Sequence, residues 1–346
     1  MLRFSNFAKL FALGWLTAGI LALQPTGAAF SASAQAPMIS PLLQENQSED
    51  WTKLTVDRAK LKIQPMATSL GSSETATYTS ELIRLTWLPG DPIDMYVIRP
   101  KGVTKPPVAL YLYSYSYPAD LARFRDGGWC QRATRNGTAA VGFLTALTGD
   151  RMQGRPLREW FIPELQEGLG HSVRDVQMII DYLAARGDLN TEKVGMFGQG
   201  SGASVAILAA AVDPRIQALD LINPWGDWPD WLKGSPVLHE DERPKVTTPQ
   251  FLHTVSTLDP VDYLPKLKGR SLRVQQILDD QDTPAAARDK IAAAVPAGDL
   301  VQYKDTAAHR EAWKATGLSG WLSSHISQPA RTQAAAPTAT AGPGQR

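Results

Sequence analysis

Apolar residues fall into two rhythms along this chain, and the rhythms alternate. Ile93-Asp-Met-Tyr-Val-Ile98 alternates inward and outward positions, as a half-buried strand does. The β-former-rich stretch 75–87 precedes it across the turn Leu88-Pro-Gly-Asp-Pro92, which predicts an antiparallel hairpin opening a sheet. The runs at 108–113 and 216–222 read as buried strands, and 138–144, 194–197, 271–278 and 300–303 as further strands. Between them Val173, Val176, Ile179, Ile180 and Leu183 recur at helical spacing, and Arg186-Gly187 ends that helix. The segments 123–137, 203–211, 285–295 and 310–324 read as further helices, the first interrupted at Gly127-Gly128. Strands alternating with helices imply an α/β architecture, a mostly parallel sheet with helices on both faces. Such sheets bind ligands at the carboxyl ends of their strands.

The alternation breaks at 223–269, where Pro, Trp and charged residues predict a small cap excursion over the sheet. One domain is expected over 75–327, with an N-terminal extension at 35–74. Within that extension, 54–63 fits a strand or a short helix equally. The last stretch, 328–346, is rich in Ala, Thr, Pro and Gly and has too few large apolar groups to join a core, so a disordered tail is expected. Residues 1–34 read as a signal peptide, with Arg3 and Lys9 ahead of an uncharged apolar run at 10–23. That run is shorter than the ~20 residues of a membrane span. Cleavage is expected after Ala34, because a cut after Ala36 would put the constrained Pro37 beside the scissile bond. Export to the periplasm or the medium follows, with no membrane span after cleavage. An uncleaved anchor is the alternative.

Composition narrows the chemistry. The 346 residues carry a net charge of +1, with no basic stripe, so nucleic acid is not an expected partner. One cysteine, Cys130, excludes an internal disulfide and a thiolate zinc cluster, and reads as a buried small hydrophobe.

The chemistry-bearing stretch is Lys193-Val-Gly-Met-Phe-Gly-Gln-Gly-Ser-Gly-Ala203. It reads as a strand, a glycine-dense turn and a helix of small residues. Gly198, Gly200 and Gly202 take the first, third and fifth places of the pattern Gly-x-Ser-x-Gly. The segment 192–224 resembles the central part of the α/β-hydrolase superfamily, especially its esterase and prolyl-oligopeptidase-like branches, and the resemblance extends over about 75–324. It implies the α/β-hydrolase fold and an ester or peptide hydrolase whose triad runs Ser, Asp or Glu, His along the chain.

By that resemblance Asp282 is the acid, in the turn Asp279-Asp-Gln-Asp-Thr-Pro284 after a late strand, with Asp280 second. Capping of the helix after Pro284 is the structural alternative for Asp282. His309, in the loop after 300–303, is the base. Asp227 is the alternative acid. The nucleophile's place is Gly200, and Ser201 follows one step late. Its side chain should leave the turn about 100° from the nucleophile's direction. Three readings stay open: Ser201 only starts the helix, Ser201 is a shifted nucleophile, or His309 activates water. Oxyanion donors are expected from the backbone N–H of Ser201 and, in Tyr113-Ser-Tyr-Ser-Tyr-Pro118, of Tyr115 or Ser116. This last stretch departs from the His-Gly common in the family. Gln199, Trp225 and Trp228 are expected to wall the pocket, with core packing as the alternative for the tryptophans.

No metal or cofactor is expected. The glycine run lacks the Lys-Ser/Thr of a phosphate loop, and Ala203 stands at the third glycine of a dinucleotide fingerprint, a place where one variant tolerates Ala. The expected protein is an exported hydrolase of a small ester, amide or glycan-linked substrate. The rival is a degenerate relative that binds a small molecule or partner in the old pocket.

Overall fold

Residues 50–114, 121–147 and 165–327 are described by a computed structural model. Nine strands among them form one sheet: β1 (Met66–Glu74), β2 (Tyr78–Thr86), β3 (Ile93–Pro100), β4 (Pro107–Leu112), β5 (Ala139–Phe143), β6 (Asn190–Gln199), β7 (Ile216–Ile222), β8 (Ser271–Ile277) and β9 (Leu300–Tyr303). Their spatial order is β1-β2-β3-β5-β4-β6-β7-β8-β9. The predicted hairpin is β2 and β3, antiparallel with Leu82 opposite Tyr96. From β5 to β9 every neighbouring pair is parallel. Strand order reverses at β5 and β4, so β4 lies directly beside β6, the strand that carries the glycine turn.

The helices follow from the apolar periodicity. They are α1 (Gly127–Thr134), α2 (Leu165–Arg186), α3 (Ser201–Val212), α4 (Trp228–Gly234), α5 (Arg243–Val246), α6 (Pro249–Ser256), α7 (Pro260–Tyr263), α8 (Ala285–Ala294), α9 (Thr306–Thr316) and α10 (Gly320–Ile326). Strand pleating sends alternate residues to opposite faces. Val194 and Met196 of β6 join the core under α2 and α3, while Phe197 joins the core under α1 and α10. On β7, Leu219 and Leu221 face the first core, and Ala218 and Ile222 the second. Asp220 therefore shares the face of Phe197. None of the described helices is long and apolar enough to cross a membrane. The region 223–269 is the expected excursion, folded as α4 to α7.

Several boundaries differ from expectation. β1 is exposed along its whole length, so it carries no inward alternation for a sequence reading to find. The ambiguous 54–63 holds only a single 3-10 turn, Arg58–Lys60, capped by Asp57. The closing helix is two helices, because Gly317 adopts φ 70°, a left-handed conformation natural to glycine. It also begins earlier. The Asp305 carboxylate accepts from the Ala308 N–H at 2.7 Å and starts α9 at Thr306, so His309 lies in the first turn of a helix and not in a loop. His171 sits inside α2, and its Nε2 lies 3.0 Å from Asp91 Oδ2. The predicted signal peptide, tail and residues 35–49 lie outside the described residues.

Candidate active site

The turn between β6 and α3 is built by two close approaches. A Cβ on Gly198 would lie 2.6 Å from Ala203 Cα, and one on Gly202 would lie 2.6 Å from Leu112 carbonyl carbon. Both distances are shorter than real side chains tolerate, so glycine is required for the strand and helix to pack this tightly. Gly200 has φ 53° and ψ −120°, a backbone that L-residues adopt only under strain. This is the sharp strand-to-helix elbow that in an active hydrolase lifts the nucleophile to the top of the sheet. Gly200 N–H donates to Ile222 O at 3.0 Å, and Gly200 O accepts from Ala203 and Ser204 N–H at 3.1 and 3.2 Å.

Where a side chain at 200 would stand, other side chains already stand. Its Cβ would lie 2.8 Å from Ser114 Cβ, closer still to Ser114 Oγ, and 3.2 Å from Trp225 Nε1. Ser114 follows the end of β4 and is 3% exposed. Trp225 is held over the turn by Ser204, whose hydroxyl donates to Trp225 O at 2.7 Å. Ser201 is 2% exposed and is the first residue of α3. Gln199 ends β6 opposite Ile222 and is half-buried.

His309 is 7% exposed, and its Nε2 is buried without a hydrogen-bond partner among the described residues. The ring stands edge-on to Tyr303 at 5.1 Å and tilts over Trp313 at 5.5 Å. Trp313 in turn stacks with Phe197 at 6.2 Å, and Phe197 meets Tyr113 at 5.4 Å. These rings link α9 to β6 and β4 three and one residues before Gly200 and Ser114. Burial lowers the His309 pKa from its ordinary value. The Asp220 carboxylate works against that fall, and the Arg273 guanidinium reinforces it. Asp220 is 1% exposed. It accepts from Arg273 Nε and Nη2 at 2.8 and 2.6 Å and from Gln275 Nε2 at 2.7 Å. Sequence reading missed both Ser114 and this buried acid–guanidinium pair.

The structure does not bring Asp282 and His309 together by a hydrogen bond among the described residues. Instead Asp282 O accepts from Ser235 Oγ at 2.7 Å, tying the turn to the end of α4. Pro284 holds the cap position of α8, and Asp280 Oδ2 takes the Thr283 N–H at 3.1 Å. Burial raises the Asp280 pKa, and the nearby Asp282 adds to the rise. Asp227, the alternative acid, pairs with Lys290 Nζ at 3.0 Å. Trp228 and Trp231 pack edge to face at 5.8 Å inside the excursion, where Trp228 Nε1 donates to Leu258 O. Trp225 alone of these tryptophans reaches the elbow. Tyr115 and Ser116 lie outside the described residues.

No family model matches this chain, and no curated protein matches it. Solved structures do. An acetyl xylan esterase from Paenibacillus sp. R4 is 17% identical with TM-score 0.54, the match covering 72% of this chain and 87% of that one. A cold-adapted esterase from an Arctic intertidal metagenomic library is 14% identical with TM-score 0.52, covering 74% and 97%. The acylaminoacyl peptidase of Pyrococcus horikoshii is 16% identical with TM-score 0.50, covering 66% of this chain and 37% of that one. With the strand order and the elbow, these similarities give the chain the α/β-hydrolase fold, like that of esterases and peptidases of this superfamily.

Proposed function

We propose that this protein is an exported hydrolase of small acyl esters or amides, glycan-linked esters included, working at the elbow with His309 as general base. The observation that carries the reading is the buried Nε2 of His309, which has no hydrogen-bond partner among the described residues. Leaving such a group unsatisfied costs about 1–3 kcal/mol, and a catalytic role is one of the reasons a native fold keeps such an atom. Burial also keeps the imidazole neutral near pH 7, which is the form that accepts a proton. The elbow conformation of Gly200 and the first N–H groups of α3 supply the surroundings of an acyl-transfer site, with the partly positive helix terminus facing a developing oxyanion. For the acid, this reading takes Asp220, whose charge holds the His309 pKa up. Export rests on the basic, apolar and small-residue order of 1–34.

The test is hydrolysis of short-chain aryl esters by purified protein beside His309→Ala. A loss of ~10²-fold or more in kcat/KM is expected, the usual contribution of a positioned base. Equal trace rates in both proteins would favour the rival reading, a binding protein in which Gly200 marks lost chemistry.

A further inference from the structure

We propose that the attacking hydroxyl of this site comes from Ser114, at the end of β4, and not from the elbow residue or from Ser201. The inference rests on the hydrolase reading above and names the nucleophile that reading leaves open.

The argument is spatial. In an elbow of this conformation the nucleophile's Cβ and oxygen project from position 200. Here that volume is filled by Ser114, whose Cβ would lie 2.8 Å from a Cβ at 200 and whose Oγ lies closer. The site thus keeps a serine hydroxyl at the elbow's apex while the chain position that delivers it has changed. Glycine at 200 is then the condition for the arrangement and not the loss of it, because any side chain there would expel Ser114. Strand order makes the exchange feasible, since β4 is the immediate parallel neighbour of β6, with Leu112 opposite Gly198. Trp225 Nε1 lies 3.2 Å from the same point. Ser201 is the first residue of α3, one step past the apex.

The step balances without any co-reactant but water. Ser114 Oγ–H, which is not hydrogen-bonded to His309 Nε2 in this structure, gives its proton to that nitrogen once substrate is bound, as Oγ bonds to the substrate carbonyl carbon. The carbonyl oxygen carries the resulting negative charge beside the α3 N-terminus. The bond from that carbon to the leaving oxygen then breaks, and the leaving group takes the proton from His309. Water, deprotonated by His309, cleaves the Ser114 ester and returns the serine.

The experiment labels the full-length wild-type protein with a serine-directed fluorophosphonate and maps the modified residue by peptide mass spectrometry, alongside aryl-ester turnover. Label on Ser114 is expected, with turnover reduced ~10³-fold or more in Ser114→Ala. Ser114→Cys should restore part of the turnover and make it sensitive to thiol alkylation, which a merely structural serine would not do. Label on Ser201 overturns the inference and leaves the hydrolase reading intact. Turnover without label, undiminished in Ser114→Ala, does the same in favour of a water mechanism. Absence of both label and turnover removes the hydrolase reading itself. Because the mapping uses wild-type protein, it does not depend on any variant folding.

Discussion

Gly200→Ala tests the crowding at the elbow by stability alone, without reference to any substrate. The added methyl meets two separate penalties. Its backbone must hold φ 53° and ψ −120°, at about 1–3 kcal/mol for a residue with a Cβ. It must also share space with Ser114, whose Cβ would lie 2.8 Å away, and overpacking of this kind costs about 1–3 kcal/mol. The sum is about 2–6 kcal/mol. Only the second penalty depends on Ser114. In a Ser114→Gly background the same methyl should therefore cost only the backbone part. Ser114→Ala should fall between, since it removes the Oγ contact and leaves the Cβ contact. Urea unfolding of the four proteins of this cycle, followed by tryptophan fluorescence and fitted with a common m, gives the coupling directly. The double variant should be more stable than the sum of the singles by about 1–3 kcal/mol. An equal penalty in both backgrounds, within about 0.5 kcal/mol, would mean that Ser114 does not occupy the apex, and the reasoning built on it would fall.

Other consequences can be measured separately. Because burial lowers the His309 pKa, the acidic limb of the rate profile should have its midpoint below ~6.5, and the same shift makes stability, full above ~6.5, decline as pH falls through the folded-state value. A limb at or above 6.5 would contradict this. Asp220→Asn leaves the Arg273 guanidinium without its carboxylate in the core and should cost about 3–5 kcal/mol in urea unfolding. It should also shift the acidic limb further down, since the Asp220 charge holds the His309 pKa up. Cys130 is 1% exposed, its thiol donates to Phe124 O at 3.3 Å, and burial raises its pKa, so a thiol reagent should react only at the rate of unfolding. Prompt reaction in native protein would refute that burial.

Much of the fold was legible because its central strands are buried on both faces and α2 shows a helical apolar period. β7 and β9 were expected at 216–222 and 300–303, the bounds they take. β1 was not legible, because an exposed edge strand has no buried side to reveal its period. His309 was expected in a loop because the helical period was counted from its apolar residues. The available signal was polar, Asp305 three residues ahead of Ala308, the spacing of an N-cap. The elbow was legible for a different reason. Its glycines are demanded by backbone contacts with Ala203 and Leu112, so they leave a local sequence trace. Ser114 leaves none. Its meeting with Gly200 depends on β4 and β6 being neighbours, a fact of strand order that no local pattern records. The same holds for Asp220 and Arg273, which meet across two strands.

The central claim, acyl transfer at the elbow through His309, is tested most directly by an acid-quenched time course with an aryl acetate, read as protein mass and then mapped to a residue. The account predicts a transient acetyl adduct on Ser114 that forms during the burst of phenol release and is absent in His309→Ala. An aryl acetate consumed no faster by the wild type than by His309→Ala, with no adduct at any time, would contradict it.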